Sequence, residues 1–376
     1  MPKKRILILT GWLPGGGAEK VLIDIFRNID YTKYDIDLVL FEKKGELLND
    51  VPPEVNIIEL WGRNSFNHFI AIKATLHLHN NFLLSKRMNG ARLRKDYDAE
   101  IAFTEGMPVK LIAMRKTKAP KYCWVHVDLS NFHASKSAFY NSKDEFKSYN
   151  SLNKIICVSE DCRKGFISCF PSMESKTSLL YNPIDKDNII ALSKKEGMLK
   201  DSDGKVNIVI VARLHPQKNP NRIIDVAALA KKEGLKIKFH WLGNGPLMEE
   251  MINLRDEKDL TEMIYFYGFK KNPYPYIAQA DIMVLPSDAE GFGLVLCEAM
   301  SLGVPVISTP TAGPKEIIGE NQFGLITDFN PQSILDAIKK LMFDLELKNR
   351  IIEAGKNRVN QFSVYNTMKR FYEIIG

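Results

Sequence analysis

Short runs of β-branched and aliphatic residues recur along the chain, each followed by a loop and a helix-length amphipathic segment. In the first half they are Ile6–Leu9, Ile36–Phe41, Glu100–Phe103, Tyr122–Val125 and Lys154–Val158; in the second, Val206–Val211, Ile237–Leu242, Met263–Tyr267, Ile282–Leu285 and Val304–Ser308. Strands that are apolar throughout are buried on both faces, and helix-length connections between them demand parallel pairing. The pattern therefore predicts α/β layers with helices on both sides of each sheet. The stretch Asn182–Gly204 is polar, lacks a strand pattern and precedes a fresh strand at Val206. With 376 residues there is room for two cores. The expectation is two Rossmann-like, doubly wound domains facing each other across a cleft, residues 1–185 and 186–361. In such sheets ligands bind beyond the carboxyl ends of the strands, so function is sought in the loops that follow them.

Other features exclude whole classes. No apolar run approaches the ~20 residues of a membrane span. Met1–Arg5 followed by Ile6–Leu9 has the outline of a signal peptide, but the apolar run stops at Thr10-Gly11 and reads as a first strand. Cys123, Cys157, Cys162, Cys169 and Cys297 form no C-x-x-C pair and have no histidine at zinc spacing, which fits reduced core thiols of a cytoplasmic protein. The net charge of +7 is uneven: residues 1–190 hold 28 Lys+Arg against 22 Asp+Glu, the remainder 24 against 23. Between Leu60 and Lys95 stand Arg63, Lys73, Lys86, Arg87, Arg92, Arg94 and Lys95 with no acidic residue, interleaved with Phe66, Phe69, Ile70, Leu76, Phe82, Leu83 and Leu84. Such a segment suits an anionic membrane surface or a phosphate-bearing partner, and also a solvated helix face over ordinary core residues. Stacking platforms and helix-turn-helix signals are absent, so no nucleic-acid partner is expected.

The loop after the first strand is Gly11-Trp12-Leu13-Pro14-Gly15-Gly16-Gly17-Ala18-Glu19-Lys20. Its glycines let backbone approach a ligand, and the helix that follows offers N–H groups to an anion. It is neither a Walker A loop nor G-x-G-x-x-G; a flexible turn and a diphosphate contact explain it equally well. After Val206–Val211 come Arg213 and Lys218, a cation pair at a strand's carboxyl end that can clamp two phosphates, one as a fork and one as a point charge. Gly243 and Gly268 end two later strands in small-residue turns that would bring backbone near a ligand.

The strongest signal is Leu285-Pro286-Ser287-Asp288-Ala289-Glu290-Gly291-Phe292-Gly293-Leu294-Val295-Leu296-Cys297-Glu298-Ala299-Met300. A strand ends at Leu285, a helix starts near Gly293, and Glu298 falls in its second turn among apolar residues, where a solvated glutamate is unnatural. At helical rise the eight-residue offset separates the two carboxylates by roughly 12 Å. That exceeds the about 5–9.5 Å of paired-carboxylate glycoside hydrolysis. It suits the gripping of two polyols joined by a diphosphate, with the N–H groups of residues 292–294 between them.

Glu290-x7-Glu298, Arg213 and Lys218, the Gly15-Gly16-Gly17-Ala18-Glu19 loop and Asn182-Pro183-Ile184-Asp185 together resemble the retaining family 4 glycosyltransferases of the GT-B fold, from residue 6 to about 365 and in the family's order. The resemblance implies a nucleotide sugar held mainly by the second domain and an acceptor held mainly by the first. Arg213 and Lys218 would hold the diphosphate and stabilise the leaving nucleotide; Glu298 would bind ribose hydroxyls and Glu290 those of the transferred sugar. Gly291, Phe292, Gly293 and Leu294 would add backbone contacts, and Gly16-Gly17 would close over the diphosphate. Trp124-Val125-His126-Val127-Asp128 matches the family's histidine after a first-domain strand, so His126 would lie by the donor sugar. The resemblance also implies a last helix, residues 362–376, packed back on the first domain. It implies same-face substitution with no metal and no other cofactor; Asp201-Ser202-Asp203 lies in the linker. The function implied is transfer of a hexose or N-acetylhexosamine, from a UDP-linked donor, to a lipid-linked (polyprenyl diphosphate) or polysaccharide acceptor in surface-glycan (capsule, exopolysaccharide) synthesis. The enzyme would be cytoplasmic and peripheral on the membrane's cytoplasmic face. Two other readings are open to such a chain: a UDP-N-acetylglucosamine 2-epimerase-like enzyme, or an inactive nucleotide-binding partner subunit.

Overall fold

The computed structural model describes residues 2–61, 81–90, 93–94, 96–200 and 204–376. The chain divides into two units, Met1–Pro183 with Val364–Gly376, and Ile184–Ser363.

In the first unit β1 (Lys4–Thr10), β2 (Tyr34–Leu40), β3 (Asn56–Glu59), β4 (Ala99–Ala102), β5 (Lys121–Val125), β6 (Lys154–Cys157) and β7 (Thr177–Leu179) make one sheet among the described residues. Its order is β3-β2-β1-β4-β5-β6-β7, parallel throughout. Ile6 pairs with Ile36 on one flank of β1 and with Ala99 on the other. The chain thus leaves β1 in one direction and returns on the opposite flank as β4. The loops after β1 and β4 diverge at the switch point where open parallel sheets hold ligands. The helix Gly17–Asn28 buries Val21, Leu22, Ile25 and Phe26, and β1 buries Ile6–Leu9; each such side chain contributes ~1.5–3 kcal/mol by leaving water.

The last helix, Val364–Ile375, belongs to this unit. Phe371 packs on Trp124 at 6.0 Å, and Tyr372 stacks on Tyr34 at 5.2 Å and accepts the Asp30 N–H at 3.1 Å. The crossing begins at Val364 rather than Phe362. Phe362 meets Phe292 edge-on at 5.2 Å inside the second unit, where its carbonyl accepts the Ile184 N–H at 2.8 Å.

In the second unit β8 (Val206–Val211), β9 (Ile237–Leu242), β10 (Ile264–Phe266), β11 (Ile282–Leu285), β12 (Val306–Ser308) and β13 (Leu325–Ile326) form a parallel sheet ordered β10-β9-β8-β11-β12-β13. Its switch point lies between β8 and β11. Ile208, Phe239, Trp241, Val284 and Ile307 of the strands pack with Ile223 and Val226 of the helix Pro220–Lys232 and with Ile334 and Ile338 of the helix Pro331–Phe343. Every cation and carboxylate that the sequence points to in this half sits on a loop or helix following β8 or β11.

Much of the basic stretch, including Arg63, Phe66, Phe69, Ile70, Lys73, Leu76, Arg92 and Lys95, lies outside the described residues, as does Asp201-Ser202-Asp203. In its described part the helix Asn81–Met88 buries Leu84 and Met88 and exposes Lys86 and Arg87. Among the described residues no helix is long and apolar enough to cross a membrane.

Candidate active site

The loop after β8 is held from beneath. The Trp241 indole N–H donates to the Ala212 carbonyl at 2.8 Å, and the Leu214 N–H donates to Asn244 at 3.0 Å. A Cβ on Gly243 would lie 1.9 Å from the Ala212 carbonyl oxygen, and one on Gly245 2.2 Å from that of Leu214. The close approach that the sequence assigned to a ligand at Gly243 is therefore made by protein backbone: the loop after β9 lies directly on the loop after β8. A Cβ on Gly268 would meet nothing within 4 Å; its carbonyl accepts the Gly243 N–H at 2.9 Å, and its φ of +66° is what calls for glycine.

On this support Arg213 is exposed, and no ion pair or hydrogen bond holds its guanidinium among the described residues. Lys218 closes the short turn Pro216–Lys218, and Asn219, left-handed at φ +43°, caps the helix Pro220–Lys232 by accepting the Arg222 N–H at 3.2 Å. His215 between the two cations has its pKa lowered, first by burial and then by Arg213 and Lys218.

The loop after β11 meets this loop side chain to side chain. Lys218 Nζ lies 2.5 Å from Glu290 Oε1, which also accepts the Ser287 hydroxyl at 2.7 Å. Gln217 donates to the Ala289 carbonyl at 3.0 Å, and the Asp288 N–H donates to Gln217 at 2.9 Å. A residue the sequence did not single out anchors the arrangement: Arg222, 8% exposed, donates to the carbonyls of Pro286 and Phe329 and pairs with Asp288 at 2.8 Å. Its signal was present, an arginine between Pro220 and Ile223-Ile224 on the inward face of a helix. Arg222→Ala strands two carbonyls and a carboxylate, so it is expected to cost about 2–3 kcal/mol of stability. A denaturant melt checks this, and an unchanged midpoint contradicts the anchoring role.

Gly293, at φ +91°, starts the helix Leu294–Ser301 with no side-chain cap. Glu298 is 3% exposed within it, with the Tyr274 hydroxyl 3.4 Å from Oε1. A surface charge is thus excluded for Glu298. Glu290 precedes the left-handed Gly293, so helical rise does not span the two glutamates; the offset crosses a loop. Gly291 and Gly293 are buried, and a Cβ on Gly313 would lie 2.2 Å from Phe292 backbone, so the start of the helix Ala312–Ile318, which follows β12, presses on this turn. The Phe292 ring is taken up against Phe362, which leaves only its backbone for a ligand; Leu294 is half-buried.

In the first unit Gly16 caps the helix Gly17–Asn28, and a Cβ there would meet the Glu19 carboxylate at 2.5 Å. Glu19 occupies the third helical position, from which a glutamate reaches back to the helix start. The helix start at Gly16-Gly17, which the sequence offered to an anion, therefore carries a carboxylate beside it. His126 follows β5. Its N–H donates to Glu105 Oε1 at 3.0 Å, and its Nε2 lies 2.9 Å from the Phe103 carbonyl oxygen. A carbonyl only accepts, so Nε2 carries the hydrogen and Nδ1 is left as an acceptor. Burial holds the imidazole pKa down to about 4, so the ring is neutral near pH 7. Glu105 was not foreseen, although it stands directly after β4 at the switch point. Burial pushes its carboxyl up to about 7.

Residues 194–358 match the family described as glycosyl transferases group 1. The chain is 26% identical, over 96% of its own length and 96% of the relative's, to the N-acetylgalactosamine-N,N'-diacetylbacillosaminyl-diphospho-undecaprenol 4-alpha-N-acetylgalactosaminyltransferase of Campylobacter jejuni. It is 31% identical to the O-antigen biosynthesis glycosyltransferase WclY of Escherichia coli, over 58% of this chain and 63% of that one. Anabaena Alr3699/HepE, solved in complex with UDP and glucose, superposes with a TM-score of 0.77 at 21% identity over 98% of both chains. The chain has the two-domain α/β GT-B fold, and these matches support a glycosyltransferase of surface-polysaccharide synthesis.

Proposed function

We propose that the protein is a retaining hexosyltransferase of family 4 type. It moves a hexose or N-acetylhexosamine from a UDP-linked donor to a sugar hydroxyl of a polyprenyl-diphosphate-linked or polysaccharide acceptor in cell-surface glycan synthesis. The observation that carries this reading is the Lys218–Glu290 contact beside the exposed Arg213, at the switch point of the second sheet and inside the matched segment. The Campylobacter relative, named for a diphospho-undecaprenol acceptor, supports the acceptor class, and the UDP of the Anabaena complex supports the donor class.

In this scheme Arg213 and Lys218 face the donor diphosphate, and the uncapped start of Leu294–Ser301 adds its N–H groups. Glu298 takes ribose hydroxyls. Glu290 uses Oε1 for Lys218 and Ser287 and presents Oε2 to hydroxyls of the transferred sugar. As the glycosidic C–O bond breaks, negative charge builds on the leaving phosphate opposite Lys218 and Arg213. The acceptor hydroxyl attacks from the same face, and the leaving phosphate oxygen takes its proton. His126, neutral and fixed through Nε2, accepts a sugar hydroxyl at Nδ1. No metal and no other cofactor is required.

The test is thermal melting with UDP, GDP, ADP and TDP, each in EDTA. At 100 times Kd a ligand stabilises by about 2.7 kcal/mol. The proposal expects a UDP-selective rise; a GDP- or ADP-selective rise overturns the donor class, and no rise with any nucleotide overturns the transferase reading. The proposed peripheral seat on the cytoplasmic face of the membrane is tested separately. Replacing Lys86, Arg87, Arg92, Arg94 and Lys95 by Gln is expected to lower sedimentation with anionic liposomes at least tenfold, at ~1 kcal/mol per basic residue. Undiminished sedimentation contradicts it.

A further inference from the structure

Residue 126 is held at two points by the loop after β4, its backbone N–H by Glu105 at 3.0 Å and its imidazole by the Phe103 carbonyl at 2.9 Å. The ring also lies against Trp124 at 6.1 Å and Phe103 at 5.0 Å. β4 and β5 are neighbours in the sheet, so the two loops leave side by side. Gly106, at φ +81°, turns the chain immediately after Glu105, with Ser135 3.2 Å from where its Cβ would stand. That turn fixes where the Glu105 carboxylate sits.

The neighbours of the Glu105 carboxylate come from several elements of the first unit. The carboxylate is faced by Glu19 from the helix Gly17–Asn28, by Cys123 on β5 and Cys157 on β6, by Cys162 on the helix Glu160–Cys169, by Tyr149 on the helix Ser142–Asn150, and by His126. Burial raises the cysteine and tyrosine pKa values and lowers that of His126, so these neighbours are uncharged near pH 7, and Glu19 pushes the Glu105 carboxyl further up. What favours the ionised form is the set of backbone N–H groups of Glu105, His126 and Val127. An ionised carboxylate accepts such bonds far better than a protonated one.

We propose that Glu105 is a positioning residue for His126: its ionised carboxylate clamps the backbone of residues 126–127, and its protonation loosens the loop that aims the imidazole. The proposal rests on the transferase reading for the part His126 plays. Because Glu105 titrates at about 7 and His126 at about 4, transfer should fall as pH drops below neutrality, and the residue responsible is the glutamate rather than the histidine.

Two measurements decide it. The first is kcat/KM against pH for the wild type and Glu105→Gln at saturating acceptor. The amide still accepts a hydrogen bond but cannot ionise. The wild type is expected to show an inflection near 7, and Glu105→Gln a flat profile at the level of the wild type's acid limb, with donor KM unchanged. The second needs no turnover: the backbone amide signal of His126, followed by NMR, should titrate near 7 in the wild type and stay constant in Glu105→Gln. An inflection that survives in Glu105→Gln, or a His126 amide that does not titrate in the wild type, overturns the proposal. If the wild type transfers no sugar from any donor, the transferase reading fails, while the amide titration still judges Glu105.

Discussion

Lys218→Ala is expected to lower turnover on the order of 100-fold or more while changing donor KM far less. The ammonium sits 2.5 Å from Glu290 on a loop held by Gln217 and Asn219, so its position is set before any substrate arrives. A preplaced cation acts most strongly where charge develops, on the leaving phosphate in the transition state, and contributes less to the ground state. A 100-fold loss corresponds to about 2.7 kcal/mol. That exceeds the ~0.2–1 kcal/mol of an ordinary exposed pair, so an effect of this size on kcat separates a catalytic role from a structural salt bridge. Lys218→Arg should restore only part of the rate, because a planar fork cannot occupy the position of a point charge beside Glu290. Unchanged turnover in Lys218→Ala, with an unchanged melting temperature, removes Lys218 from the site.

Glu298→Ala and Glu290→Ala are expected to separate. Glu298 is 3% exposed beside Tyr274, and a buried carboxylate that accepts hydroxyl bonds contributes about 1.5–3 kcal/mol. Its loss should weaken UDP binding roughly 10–100-fold. Glu290→Ala should leave UDP affinity within about twofold, since removal of the carboxylate also releases Lys218 toward the diphosphate. With the complete donor it should cost turnover, because the sugar loses its grip. Titration calorimetry with UDP and initial rates with the UDP-sugar make the comparison. Equal loss of UDP affinity in both variants breaks the assignment of ribose to Glu298 and hexose to Glu290.

The interior strands were legible in the sequence because burial on both faces writes a continuous apolar run, as in Val206–Val211 or Ile6–Leu9. β3, β7 and β13 were not, and all three are edge strands of two to four residues. An edge strand pairs on one side only, so Asn56–Glu59 and Thr177–Leu179 are only partly buried and carry no such run. Within the second unit, Arg213, Lys218, Glu290 and Glu298 could be picked out because charge at a strand's carboxyl end, or inside an apolar helix, lacks an ordinary structural use. Arg222 and Glu105 escaped because their importance lies in what they hold: two carbonyls of distant loops for one, the backbone of residue 126 for the other. Such partnerships depend on tertiary proximity that spacing does not reveal. The glycines divide for the same reason. Gly243 and Gly245 serve the packing of one loop on another, and Gly16 makes room for Glu19.

The central claim is glycosyl transfer with retention, and the direct measurement is the anomeric configuration of the product. The protein is incubated with an α-linked UDP-hexose or UDP-N-acetylhexosamine and a polyprenyl-diphosphate-linked sugar, and the new linkage is read by proton NMR while released UDP is quantified. The account predicts one UDP released per glycosidic bond formed and an α-linkage in the product. A β-linkage would contradict same-face substitution, and UDP release without a new glycosidic bond would contradict transfer itself.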